Sequence, residues 1–301
     1  MLQGRAFKVW IQTVVAVSVL LAGGALRAQK VAATGPVKLY PARSSPTDLE
    51  IGGDLAGMKR GETRFVRYRD LLRLPQRSFT AVGDSNFAGP VPVSGIALAD
   101  LPILLGAEPE ARMVTALSGD RYKANYPPEY LQAHDPILVL RIQGRPPAGW
   151  PRSRDGAAMG PYMITHASFT PAFHALAHAD EPQVPWGVVR LDFRREAEVF
   201  AGIAPTGPAG SGRAVQLGFT IARQNCFRCH NQGAEGGMKS GISWEGMAKA
   251  AVANRQRFDR YVTDPRSVNP STSMPANPAY DATTLAALRA YFRPFAGTPA
   301  K

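Results

Sequence analysis

The chain has 301 residues, a formal net charge of +12, 45% hydrophobic and 19% charged residues, and no long low-complexity run. That composition is globular and excludes a disordered chain. Its 29 glycines and 26 prolines point to many turns and exclude a plain helical bundle, and the length leads us to expect two domains.

Residues 1–28 read as an export signal. Arg5 and Lys8 form a positive start, "VVAVSVLLA" (Val14 to Ala22) a short apolar core, and "GGALRAQ" a small-residue exit with cleavage expected after Ala28. The apolar core is shorter than the ~20 residues of a membrane span, so a membrane is met only if the signal stays uncleaved. Export, by a bacterium into its periplasm, implies an oxidising compartment in which nucleic acid is not met.

From residue 29 to 205 the pattern is one of short strands and turns. "RFVRY" (Arg64 to Tyr68), "SFTAV" (Ser78 to Val82), "MVTAL" (Met113 to Leu117), "ILVLRI" (Ile137 to Ile142) and "GVVRLDF" (Gly187 to Phe193) carry the β-branched and aromatic residues of strands. "YRDLLRL" (Tyr68 to Leu74) and "ALADLPILLG" (Ala97 to Gly106) read as short helices. The expectation is an α+β domain with a mixed or antiparallel sheet. "GDRYKANY" reads equally as a pocket rim or as a turn and strand.

"GIAPTGPAGSGR" (Gly202 to Arg213) reads as the linker, with the boundary at 205/206. Beyond it the period becomes helical. Val215 and Phe219, and Leu217 and Ile221, stand four apart; "WEGMAKAAVAN" and "RQRFDRYVTD" follow; Asp281 caps a last helix with Leu285, Leu288 and Phe292 on one face. About 90 residues make a thin core unaided, and a bound cofactor often completes a domain of this size. This third of the chain has 12 basic and 5 acidic residues, +7, against +2 for residues 29–205. Such a charge fits steering towards a partner protein with an acidic face.

The only two cysteines, Cys226 and Cys229, stand in "RQNCFRCHNQG", with His230 directly after the second. A zinc site would need two more ligands, yet the remaining histidines, His134, His166, His174 and His178, lie across the linker. A redox dithiol would start a helix after a strand, whereas this pair follows a helical pattern. Covalent haem attachment through C-x-x-C-H uses both thiols and places the histidine beneath the iron. A second axial ligand is then expected downstream. Met274, in the proline-bounded loop "NPSTSMPANP", suits it better than Met238 in a flexible stretch or Met247 inside a helix.

With "CFRCH", "YVTDPRSVNP", Met274–Pro275 and two flanking helices, the last 90 residues resemble class I cytochromes c. The resemblance implies one covalent haem c, with Cys226 and Cys229 as thioethers and His230 and Met274 as axial iron ligands. It also implies that the first and last helices cross closely, which fits Gly218, with Phe219 and Tyr291 as aromatic neighbours. Both axial positions are then filled, and the haem carries single electrons. The family's proline after the haem motif is missing here, so a backbone carbonyl near Gly241 is expected to accept the His230 N–H. Trp244, Tyr261 and Arg266 are candidate partners for the haem carboxylates.

Upstream, "YRDLLRLPQRSFTAV", "VSGIALADLPILLG" and "SGDRYKANYPPEYLQAHDPILVLRIQGRPP" look like the molybdopterin-binding domain of the sulfite oxidase superfamily, over roughly residues 60–195. Where that family has a metal-binding cysteine, this chain has Gly83 and Asp84, which argues against molybdopterin chemistry. The resemblance therefore implies a sulfite-oxidase-like fold acting as a docking module, with no catalytic residue assigned. The alternative is an oxidoreductase whose N-terminal domain binds a molybdopterin or metal and passes electrons to the haem. "FHALAH" sets His174 and His178 four apart as a weaker candidate metal pair.

Overall fold

The structure is a computed structural model that describes residues 37–169, 178 and 180–297. The expected signal at 1–28 and His174 lie outside these residues. The described residues fall in one compact unit.

The first lobe is α+β. Its strands are β1 (Leu49–Gly53), β2 (Arg64–Val66), β3 (Arg77–Ala81), β4 (Val91–Ala97), β5 (Met113–Ser118), β6 (Lys123–Tyr126), β7 (Ile137–Ile142), β8 (Tyr162–Thr165) and β9 (Trp186–Arg194). They form a mixed sheet in the order β2-β1-β9-β8-β7-β4-β3, with β5 against β9 and β6 against β5. The β1–β9 pair is parallel and the other strand pairs are antiparallel. Short helices α1 (Tyr68–Leu71), α2 (Leu101–Leu104) and α3 (Pro128–His134) cover one face. There Leu49, Ile51, Leu71, Leu101, Leu138, Leu140, Leu191 and Phe193 form the main core. The other face buries a smaller one around Val91, Val93, Val139 and Met163. β4 carries Pro92 and Gly95, which weaken its strand signal in the sequence. Its ladder to β7 nevertheless forms, with a register shift at Ser94/Gly95.

Helix α4 (Glu196–Phe200) and the short α5 (Gly207–Gly210) lead into the helical lobe. That lobe holds α6 (Arg213–Asn225), the small hairpin β10 (Asn231–Gln232) and β11 (Glu235–Gly236), and then α7 (Trp244–Ala253), α8 (Arg255–Thr263), α9 (Pro265–Val268) and α10 (Ala282–Phe292). Side-chain caps start three of them. Ser243, Asn254 and Asp281 accept from the amides of Gly246, Arg257 and Thr284 at 3.2, 2.9 and 2.7 Å.

The helical core gathers Ile221, Phe227, Trp244, Phe258, Leu288, Tyr291 and Phe292. It also takes in Met113, Val199, Phe200 and Ile203, which precede α6 in the chain. The helical lobe thus shares its apolar core with β5 and α4. Among the described residues no helix is long and apolar enough to cross a membrane.

Candidate functional site

Helix α6 is amphipathic and ends at the cysteine motif. The chain tightens there: Cys226 and Phe227 both donate from N to Ala222 O, at 2.9 and 3.0 Å, and His230 N donates to Cys226 O at 3.1 Å. The β10–β11 hairpin then folds back over Phe227. Gly236 makes the fold possible with a φ of +85°, and a β-carbon there would lie 2.7 Å from Phe227 Cε2. Gly237 N and Ser240 N close the loop on Phe227 O and Cys229 O, each at 2.9 Å.

The loop returns so that Ile242 O stands 2.7 Å from His230 Nδ1. This carbonyl, one residue beyond Gly241, fixes the imidazole and leaves Nε2 as its remaining ligand atom. His230 is buried, and desolvation lowers its pKa, which keeps the ring neutral at physiological pH.

Three adjoining cavities, of about 400, 280 and 530 Å³, are each lined by both His230 and Met274. Cys229 lines two of them and Cys226 one. The four residues expected to hold a haem all line one of them, the cavity of about 280 Å³. The walls of these cavities come from Met247 on α7, Phe258, Tyr261 and Val262 on α8, and Leu288 and Phe292 on α10. The Met274 loop is tied to α8 by Asn277, whose N and Nδ2 both donate to Val262 O, at 3.2 and 3.1 Å. An imidazole, a thioether and two thiols lining one cavity are a donor set that a covalent haem would use. Burial pushes the Cys226 thiol up to about 12 and raises Cys229 too. A redox dithiol needs the opposite shift.

Other expectations fare unevenly. Met238 is half exposed and lines none of these cavities, whereas Met247 lines two beside His230. Tyr261 lines two and donates its hydroxyl to Thr272 Oγ1 at 3.2 Å. Trp244 is instead enclosed by Phe227, Tyr291 and Phe292, and neither it nor Arg266 is among the lining residues. Tyr122 of the first lobe, Arg228 between the cysteines, and Arg257 also line these cavities, and the sequence had given them no role there. Of "GDRYKANY", readable as a pocket rim or as a turn and strand, the structure makes a turn and the strand β6, and Tyr122 lines a cavity.

In the first lobe, Asp84 is buried and already occupied. Its Oδ1 accepts from Asn86 N at 2.8 Å and its Oδ2 from Thr165 Oγ1, while burial raises its pKa. Nearby, His166 Nε2 lies 3.1 Å from the Tyr130 hydroxyl, and His134 Nε2 lies 2.6 Å from Asp180 Oδ1. A cavity of about 270 Å³ there is lined by Tyr130, His134, Asp180 and Gln183, with Arg223 of α6. His178 adopts a φ of +50° and so is not helical. Its ring packs on Tyr280 at 4.4 Å and its Nε2 lies 3.1 Å from Ala279 O, which links it to the helical lobe. Among the described residues no group of three or more His, Cys, Asp or Glu could hold a metal ion.

No family model and no curated protein matches the chain. Among solved structures it is similar to the sulfane dehydrogenase SoxCD from Paracoccus pantotrophus, at 17% identity with a TM-score of 0.35. The match covers 57% of this chain and 46% of that one, so the chain spans less than half of that protein's length.

Proposed function

We propose that the chain is a periplasmic c-type cytochrome that carries single electrons between protein partners. One haem c is bound through thioethers at Cys226 and Cys229, with His230 and Met274 as axial ligands of its iron, and the sulfite-oxidase-like lobe is a docking module. The observation that carries this reading is the shared cavity on which all four residues open. When bound, the haem supplies a one-electron couple, and a thioether ligand favours its ferrous state.

The chain's own residues prepare that couple. Ile242 O orients the imidazole, the α7, α8 and α10 side chains keep the slot apolar, and Asn277 holds the Met274 loop against α8. Lys239 and Arg257 line the cavities and add positive charge to an already basic lobe. That charge suits a redox partner with an acidic face, and partner reduction should slow as salt rises. The alternative, molybdopterin or metal chemistry in the first lobe, is disfavoured by Asp84, whose two carboxylate oxygens are already hydrogen-bonded.

The test is the protein matured in a periplasm that performs haem attachment. One covalent haem per chain and no molybdenum are expected. Met274→Ala should abolish the sulfur-to-iron absorption at the red end of the ferric spectrum. No covalent haem would overturn the reading. A surviving band would reassign the distal ligand, with Met247 the next residue to vary. Molybdenum stoichiometric with haem would make the protein an enzyme.

A further inference from the structure

The β5–β6 turn of the first lobe reaches into the cavity of the second. Asp120, Arg121, Tyr122 and Lys123 form its tip, and Arg121 takes a φ of +70° to turn the chain. Two main-chain bonds pin that tip to the cysteine loop: Lys123 N to Arg228 O at 2.9 Å, and Met238 N to Arg121 O at 3.0 Å. An ion pair between Lys239 Nζ and Asp120 Oδ2, at 2.6 Å, adds a third tie. Tyr122 is half-buried and packs against the core of its own lobe. It nevertheless lines two of the three cavities, beside Cys229, His230 and Met274. Arg228 lines one of these cavities with it. Arg228 is held by Asn225 Oδ1 at 2.9 Å and by Gln224 O.

We propose that Tyr122 is a wall of the haem crevice supplied by the other lobe, and that by covering the Cys229–His230 side it raises the reduction potential of the bound haem. The inference rests on the haem reading above and gives the first lobe a second task. Water admitted to an iron site stabilises the more highly charged ferric state, so a residue that excludes water favours the ferrous one. Arg228, a cation on the same cavity held by Gln224 and Asn225, acts in the same direction.

The experiment is a spectroscopic redox titration of the full-length holoprotein with Tyr122→Phe, Tyr122→Leu and Tyr122→Ala. Tyr122→Phe keeps the ring and should stay close to the wild type. Tyr122→Leu should shift the midpoint downwards and Tyr122→Ala further, each with the Met274-to-iron band intact. That band separates a changed environment from a lost ligand. If Tyr122→Ala fails to mature, Tyr122→Leu decides. A midpoint equal to the wild type, in the smallest side chain that still carries haem, overturns the proposal and leaves the cytochrome reading standing. A wild-type protein with no covalent haem overturns both.

Discussion

Gly218 of α6 and Tyr291 of α10 meet where no side chain can intervene: a β-carbon on Gly218 would lie 2.6 Å from the Tyr291 Cβ. The same virtual atom would also collide with the Ala287 carbonyl. Gly218→Ala should gain about 1 kcal/mol of helix propensity, but overpacking a tight contact costs roughly 1–3 kcal/mol. Because the blocking atoms are backbone and Cβ, which cannot rotate away, the cost should win. A lowered denaturation midpoint is the expected result. An unchanged or raised midpoint would mean that the two helices cross with slack.

Tyr291 also ties the helical core to the segment before it, through its hydroxyl, which donates to Ile203 O at 2.6 Å. Both groups are buried, so Tyr291→Phe should leave a carbonyl unpaired and cost about 1–3 kcal/mol. Lys239→Ala, which removes an exposed ion pair between the lobes, should cost roughly 0–1 kcal/mol. Urea unfolding of the two variants compares them directly. A larger loss for Lys239→Ala would show that surface charge, and not the shared core, joins the lobes.

Much of this arrangement could be read in the sequence because its signals are local. The strands at Arg77–Ala81, Met113–Ser118, Ile137–Ile142 and Trp186–Arg194 and the four longer helices stand within a residue or two of the expected spans. The carbonyl acceptor for His230 was expected near Gly241 and is Ile242. The Phe219 and Tyr291 rings, expected as neighbours, lie 5.8 Å apart. What the sequence hid depends on tertiary contact. Strand β4 forms despite Pro92 and Gly95 because β3 and β7 flank it on both sides. Trp244 looked like a residue for the cavity, yet the aromatic cluster around Phe227 and Phe292 claims it. Tyr122 stands 107 positions before Cys229, and no periodicity or spacing connects residues on opposite sides of a lobe interface.

His166 is fully buried, and desolvation, with a smaller push from His134, lowers its pKa from 6.5 to about 3. The ring sits against the Tyr130 hydroxyl and the Phe169 ring, whose centroid is 5.3 Å away. Folding therefore favours the neutral imidazole. Above pH 6.5 this costs nothing, because the unfolded chain is neutral there as well. Between pH 6.5 and about 3 the unfolded chain takes up a proton that the folded one refuses, so stability falls with pH, by up to about 1.4 kcal/mol per unit. His166→Gln cannot titrate and should lose less stability over that range. The gap in unfolding free energy between wild type and variant should therefore narrow as pH drops from 7 to 4.5. A gap that stays constant with pH would show that the folded protein protonates His166 as readily as the unfolded chain does.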